Sequence, residues 1–248
     1  MFKLMKYEFR KTWITKLILL GITAAAEAAF LFNLYTDKED GLAASIGILT
    51  VLAIFGVLFI GLQSVITLHR DMNTKQGYML FMTPNSCYKI LGAKVLENGL
   101  SILVTGGFFF ALGALDITLL FAKQGQLSQI WQMIQDFIKS INEEIPLTAD
   151  ALAAFTFSLL AGWISIVVTA YLADVISAAL LNGKSFNGVI SFVIFLALNW
   201  AFGWLLGIAT RSIPNVVTSM LVQGGISLLI AAVMYVLTAQ IMEKKLSV

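Results

Sequence analysis

Three acidic side chains stand inside otherwise apolar stretches of this chain: Glu27, Glu97 and Asp116. An ionisable group at the centre of a membrane-spanning helix costs roughly 2.5 to 3.5 kcal/mol to insert, so each is a functional candidate by default. Glu97 lies one helical turn from Lys94, and a local ion pair is expected between them. Asp116 lies about 33 Å from Lys94 along a straight helix, which places it near the outer interface. Glu27 follows Lys16 by eleven residues and so falls near mid-membrane. It should face a polar cavity or a partner helix, where it lines a substrate path, serves stability or is merely tolerated.

Other chemistries fail on residue type or context. Ala178 to Ser185 reads AALLNGKS, close to the phosphate-loop pattern GxxxxGK[ST], but Ala178 replaces the first glycine. An apolar helical pattern precedes it where the motif requires a strand, so Asn182-Gly183 is expected to be a turn. His69 is the single histidine and Cys87 the single cysteine. One chain therefore assembles neither a His/Cys zinc site nor a His-based triad, and no intrachain disulfide. No catalytic or metal-ligating residue is assigned, and the chain is not expected to be an enzyme or to carry a cofactor of its own.

The elements that must position these acids are apolar and long. With 59% hydrophobic and 12% charged residues and a mean hydropathy of +0.89, 248 residues cannot cover a water-soluble globule with polar groups. A transmembrane helix needs about 20 mostly apolar residues. Six such stretches are present: 16–35, 42–68, 95–121, 151–173, 189–210 and 216–242. A β-barrel would need alternating strands, and Gly47 to Gly61 (GILTVLAIFGVLFIG) shows no alternation. The expectation is one all-α integral membrane domain over residues 1–248, with no repeat, linker or cleavable signal peptide.

Twelve of the sixteen Lys and Arg fall at the N-terminus, in the gaps after spans two and four, and at the C-terminus. The other gaps are acid-rich, with Asp37, Glu39, Asp40, Asp136, Glu143, Glu144 and Asp150. Basic residues are retained in the cytoplasm, so both termini are expected there. The net charge of +2 encodes topology and does not indicate a nucleic-acid partner.

Three polar segments carry further patterns. Residues 1–15 place Phe2, Met5, Phe9 and Trp13 at helical spacing among Lys3, Lys6, Arg10 and Lys11, which suits an amphipathic helix in the headgroup layer before the chain turns into span one. In the extracellular segment 122–150, Gly125 to Asn142 puts Leu127, Ile130, Trp131, Ile134, Phe137, Ile138 and Ile141 on one stripe, a second amphipathic helix that packs at the interface or gates the mouth. The cytoplasmic segment 69–94 holds an apolar knob, Tyr78 to Met82, then Thr83-Pro84-Asn85-Ser86, a stop followed by a helix start. The knob either meets a partner or the membrane surface, or packs beneath the bundle. Gly203 and Gly207, Gly106-Gly107 and Gly224-Gly225 permit close helix contacts and a protomer interface.

The layout resembles the permease subunit of bacterial ABC transporters of the type 2 (ABC-2) exporter class. The matching features are FKLMKYEFRKT (Phe2 to Thr12), the order of six spans and GYMLFMTPNSCYKILGAK (Gly77 to Lys94), which looks like that family's first coupling helix. In size and style it is similar to the compact exporters of phenol-soluble modulins and other antimicrobial peptides. The resemblance implies a homodimer in the bacterial plasma membrane, docked on a separate ABC ATPase that binds ATP and Mg. Lys75 to Pro84, with Lys75, Gly77 and Pro84 among the coupling residues, would enter the ATPase, and Tyr78, Leu80 and Phe81 would be the apolar anchors. Val175 to Lys184 would make a lesser contact. Lys75 and Gln76 depart from the family, many of whose members have an acid before the glycine. The alternatives are a non-transporting immunity or accessory protein and an ion-coupled secondary transporter using Glu27.

Overall fold

A computed structural model describes residues 2–73, 86–144, 148–181 and 187–246. Seven α-helices account for the regular structure of these residues, and no strand occurs among them. They are α1 (Phe2–Tyr35), α2 (Glu39–Asn73), α3 (Cys87–Lys123), α4 (Leu127–Glu144), α5 (Ala149–Leu181), α6 (Asn187–Thr210) and α7 (Val216–Leu246). All except α4 are long and apolar enough to cross a membrane, and each contains one of the six expected spans. The exposed side chains of these six helices include many Leu, Ile, Val, Phe and Trp, as in Phe110, Trp200 and Trp204. That distribution suits a hydrocarbon solvent.

The helix boundaries follow from local chemistry. Helix α1 ends where Asp37 adopts φ 56°, a left-handed conformation that Asp tolerates, so the Lys38 amide reaches back to the Asn33 carbonyl. Helix α3 ends in the same way at Gly125, φ 69°, with the Gln126 and Gly125 amides donating to the Phe121 and Ala122 carbonyls. Asn215 caps α7 by accepting from the Thr218 amide at 3.2 Å, and Thr148 caps α5 by accepting from Ala151 at 3.3 Å. Ser86 precedes α3 and accepts from the Lys89 and Ile90 amides, matching the expected helix start after Pro84.

One boundary differs from expectation. The N-terminal segment does not turn before span one; α1 runs unbroken from Phe2 through Lys16 to Tyr35. No residue between Phe2 and Tyr35 is Pro, and only Gly21 interrupts the helix formers, so propagation continues at little cost.

The chain divides into two compact units, 64–95 with 140–248, and 2–63 with 96–139. In the first, Leu68, Met72, Leu91, Val167, Tyr171, Val175 and Met242 form the core. Helix α5 packs against α7 and α6, and Gly224 lets α7 approach Phe157 and Ser158. In the second, Phe30, Leu34 and Leu49 are the buried centre, joined by Ala26, Leu31, Leu112, Leu119 and Leu120.

Candidate functional site

Among the residues assigned to the proposed substrate path and ATPase contact, Glu27 is the one that falls among the described residues. Lys75, Gly77, Tyr78, Leu80, Phe81, Pro84 and Lys184 lie outside them, as does the Asn182-Gly183 turn. Val175, at the start of the expected second contact, is buried in the core of the first unit.

Glu27 sits half-buried on α1, and its carboxyl group meets that of Asp116 on α3. The packing around them agrees. Ala26, Phe30 and Leu31 on the Glu27 face join Leu112, Leu119 and Leu120 on the Asp116 face in one apolar cluster. Asp116 is 8% exposed, and Asp116 Oδ1 and Glu27 Oε2 are buried without a hydrogen-bond partner among the described residues. Asp116 is therefore turned toward α1 rather than toward the outside of the unit.

Glu97 departs from expectation. Its partner is not Lys94 but Lys16, whose ammonium donates to Oε1 at 2.6 Å. Thr12 and Ser101 hydroxyls donate to the same oxygen at 3.1 and 2.8 Å, and Lys16 also donates to Ser101 Oγ at 2.7 Å. Lys94 instead donates to Asp71 Oδ2 at 2.8 Å, with both side chains almost fully buried. The one-turn spacing of Lys94 and Glu97 permitted a local pair, but charges inside an apolar body are held best by partners that also satisfy their remaining hydrogen bonds. Three converging groups around Glu97, from Lys16, Thr12 and Ser101, do so.

Sequence reasoning missed further polar ties. His69 Nδ1 lies 2.7 Å from Asp174 Oδ1. Ser64 and Tyr171 hydroxyls are hydrogen-bonded to each other, and the Tyr235 hydroxyl donates to the Tyr88 carbonyl. These link α2 to α5 and α3 to α7 within the first unit. A usable signal existed, since Asp174 is an acid at the end of an apolar span and His69 the single histidine. Nothing in their spacing, 105 residues apart, pairs them.

In the second unit, Lys123 at the end of α3 donates to the Asp37 carboxylate and the Leu34 carbonyl, closing the end of α1. Asn98 donates to the Gly61 carbonyl at 2.8 Å, and Asn33 to Ser45 at 2.9 Å. The arrangement binds helices to one another through polar contacts. Among the described residues, no group of three or more His, Cys, Asp or Glu is placed to hold a metal ion. Comparison with protein-family models, curated proteins and solved structures found no match.

Proposed function

We propose that this six-helix membrane protein is the permease subunit of an ATP-driven exporter of the ABC type 2 class, working as a homodimer on a partner ATPase. It would carry a hydrophobic or amphipathic cargo such as peptides across a bacterial plasma membrane, with both termini cytoplasmic. The observation that carries the reading is the way α2 and α3 flank residues 74–85. Both helices extend past the expected spans, to Asn73 and from Cys87, and their ends are tied by Lys94 to Asp71 and by His69 to Asp174. A segment pushed by an ATPase would need such an anchorage, because load applied between α2 and α3 would reach α5 through bonded side chains without being lost in local bending.

The ATPase would supply the chemistry, and this chain's residues would receive the motion. Tyr78, Leu80 and Phe81 would seat in the ATPase; ATP-driven closure of the ATPase pair would then rock the spans and open a path between two permeases. In the same reading, α4 would lie on the outer membrane surface with Trp131 and Ile134, both exposed, facing the acyl chains.

The Glu27–Asp116 pair favours a second reading, an ion-coupled transporter. That class builds its sites on interrupted helices, whereas the six apolar helices here are each continuous over their described length. The test is co-purification with the ATPase and ATP-dependent export, comparing the protein with its Tyr78→Ala/Phe81→Ala variant. Loss of both is expected. Unchanged binding and export would sink the coupling assignment, and export driven by an ion gradient without ATP would favour the second reading. An accessory or immunity role would be indicated by cargo binding with no export under either drive.

A further inference from the structure

In the second unit a cavity of about 240 Å³ opens beside α1 and α3. Its walls are Phe9, Trp13, Leu17 and Leu20 of α1 and Phe108 and Phe109 of α3. Trp13, Leu17, Leu20 and Phe108 remain 40% to 55% exposed, so the chain's own side chains do not fill it. Its polar end is already saturated. Lys16 is held by Glu97 and Ser101 and lies 4.0 Å from the centre of the Phe9 ring, leaving little inside for a polar ligand to bind.

Charge collects outside the cavity. Lys6 and Arg10 are exposed and stand three and seven residues before wall residues: Lys6 before Phe9 and Trp13, Arg10 before Trp13 and Leu17. They therefore flank the cavity's face of the same helix. Phe9 to Leu20 span about 17 Å of α1, a length along which a single extended hydrocarbon chain can lie.

We propose that this groove seats one acyl chain of an anionic phospholipid, whose headgroup is held by Lys6 and Arg10. The aromatic and aliphatic walls supply the apolar contact, and two exposed cations at the rim supply the charge selection. The site requires only that the chain lie in a bilayer, so it stands apart from the exporter reading.

Trp13 is a built-in reporter. The full-length protein in nanodiscs is compared with its Trp13→Phe variant, the difference in fluorescence isolating Trp13 from the four other tryptophans. Phosphatidylglycerol with brominated acyl chains should quench Trp13 on the order of tenfold more effectively than brominated phosphatidylcholine at equal mole fraction, given about 1 kcal/mol per cation near anionic lipid. Lys6→Gln/Arg10→Gln changes exposed side chains only, so the fold is kept, and it should erase that preference while leaving residual quenching by both lipids. Equal quenching by the two lipids in the unsubstituted protein overturns the proposal, as does a preference that survives the double substitution. Relief of quenching by an equimolar amphipathic peptide overturns it in favour of a peptide site.

Discussion

Lys16 and Glu97, 81 residues apart in the chain, meet at 2.6 Å with their side chains 17% and 5% exposed. The pair joins α1 to α3 at the polar end of the groove, and each charge is there because the other is. Removing one partner strands a charge in apolar surroundings, which costs roughly 3 to 5 kcal/mol for a buried pair. Lys16→Met and Glu97→Leu should each lower the unfolding midpoint in detergent sharply. The double variant should recover much of the loss, and a double variant as unstable as the sum of the singles would show that the two side chains act independently.

Glu27 and Asp116 should behave as one unit. Glu27→Gln and Asp116→Asn are each expected to change transport in the same direction, by several-fold, with the double variant no worse than either single one. Non-additivity of this kind marks a shared site. Cargo flux into proteoliposomes measures it, and fully additive effects would separate the two acids.

The glycines divide by what surrounds them. A methyl group on Gly224 would stand 2.6 Å from Phe157 Cε1 and 3.2 Å from the Ser158 backbone, so Gly224→Ala should cost about 1 to 3 kcal/mol through overpacking. At Gly203 and Gly207, among the described residues, no atom beyond the helix's own local backbone lies within 4 Å of such a methyl. Gly203→Ala and Gly207→Ala should leave the stability of one protomer within about 0.5 kcal/mol. Loss of self-association in these variants, by cross-linking in the membrane, would place the pair at a protomer interface.

The Lys94–Asp71 tie should matter for coupling more than for docking. Asp71→Asn keeps the shape but removes the charge beside Lys94, with exposures of 1% and 6% at the two side chains. The ATPase is expected to co-purify as before and to hydrolyse ATP, while export per ATP falls several-fold. Unchanged export would remove this tie from the proposed load path.

Much of the fold was legible because the bilayer imposes a simple rule. Every backbone amide in hydrocarbon must be satisfied within its own segment, so six apolar runs read directly as six helices, and Ser86 marked the start of α3. The unbroken α1 was less legible, since a change from amphipathic to apolar pattern at Lys16 looks like a boundary although no residue there breaks a helix. The partners of the charges were not legible at all. Lys94 and Glu97 satisfied the one-turn rule, yet each bonds a side chain on another helix.

The sequence by itself determined the solvent, the number of spans and the acids that had to be explained, because these depend on composition and short-range periodicity. Tertiary structure alone decided that Glu27 faces Asp116, that Glu97 takes Lys16 and that His69 takes Asp174. The physical reason is that a charge or carboxyl group in an apolar body is held by whichever complementary group the rotation and height of a neighbouring helix bring within about 3 Å. No spacing along one helix encodes that.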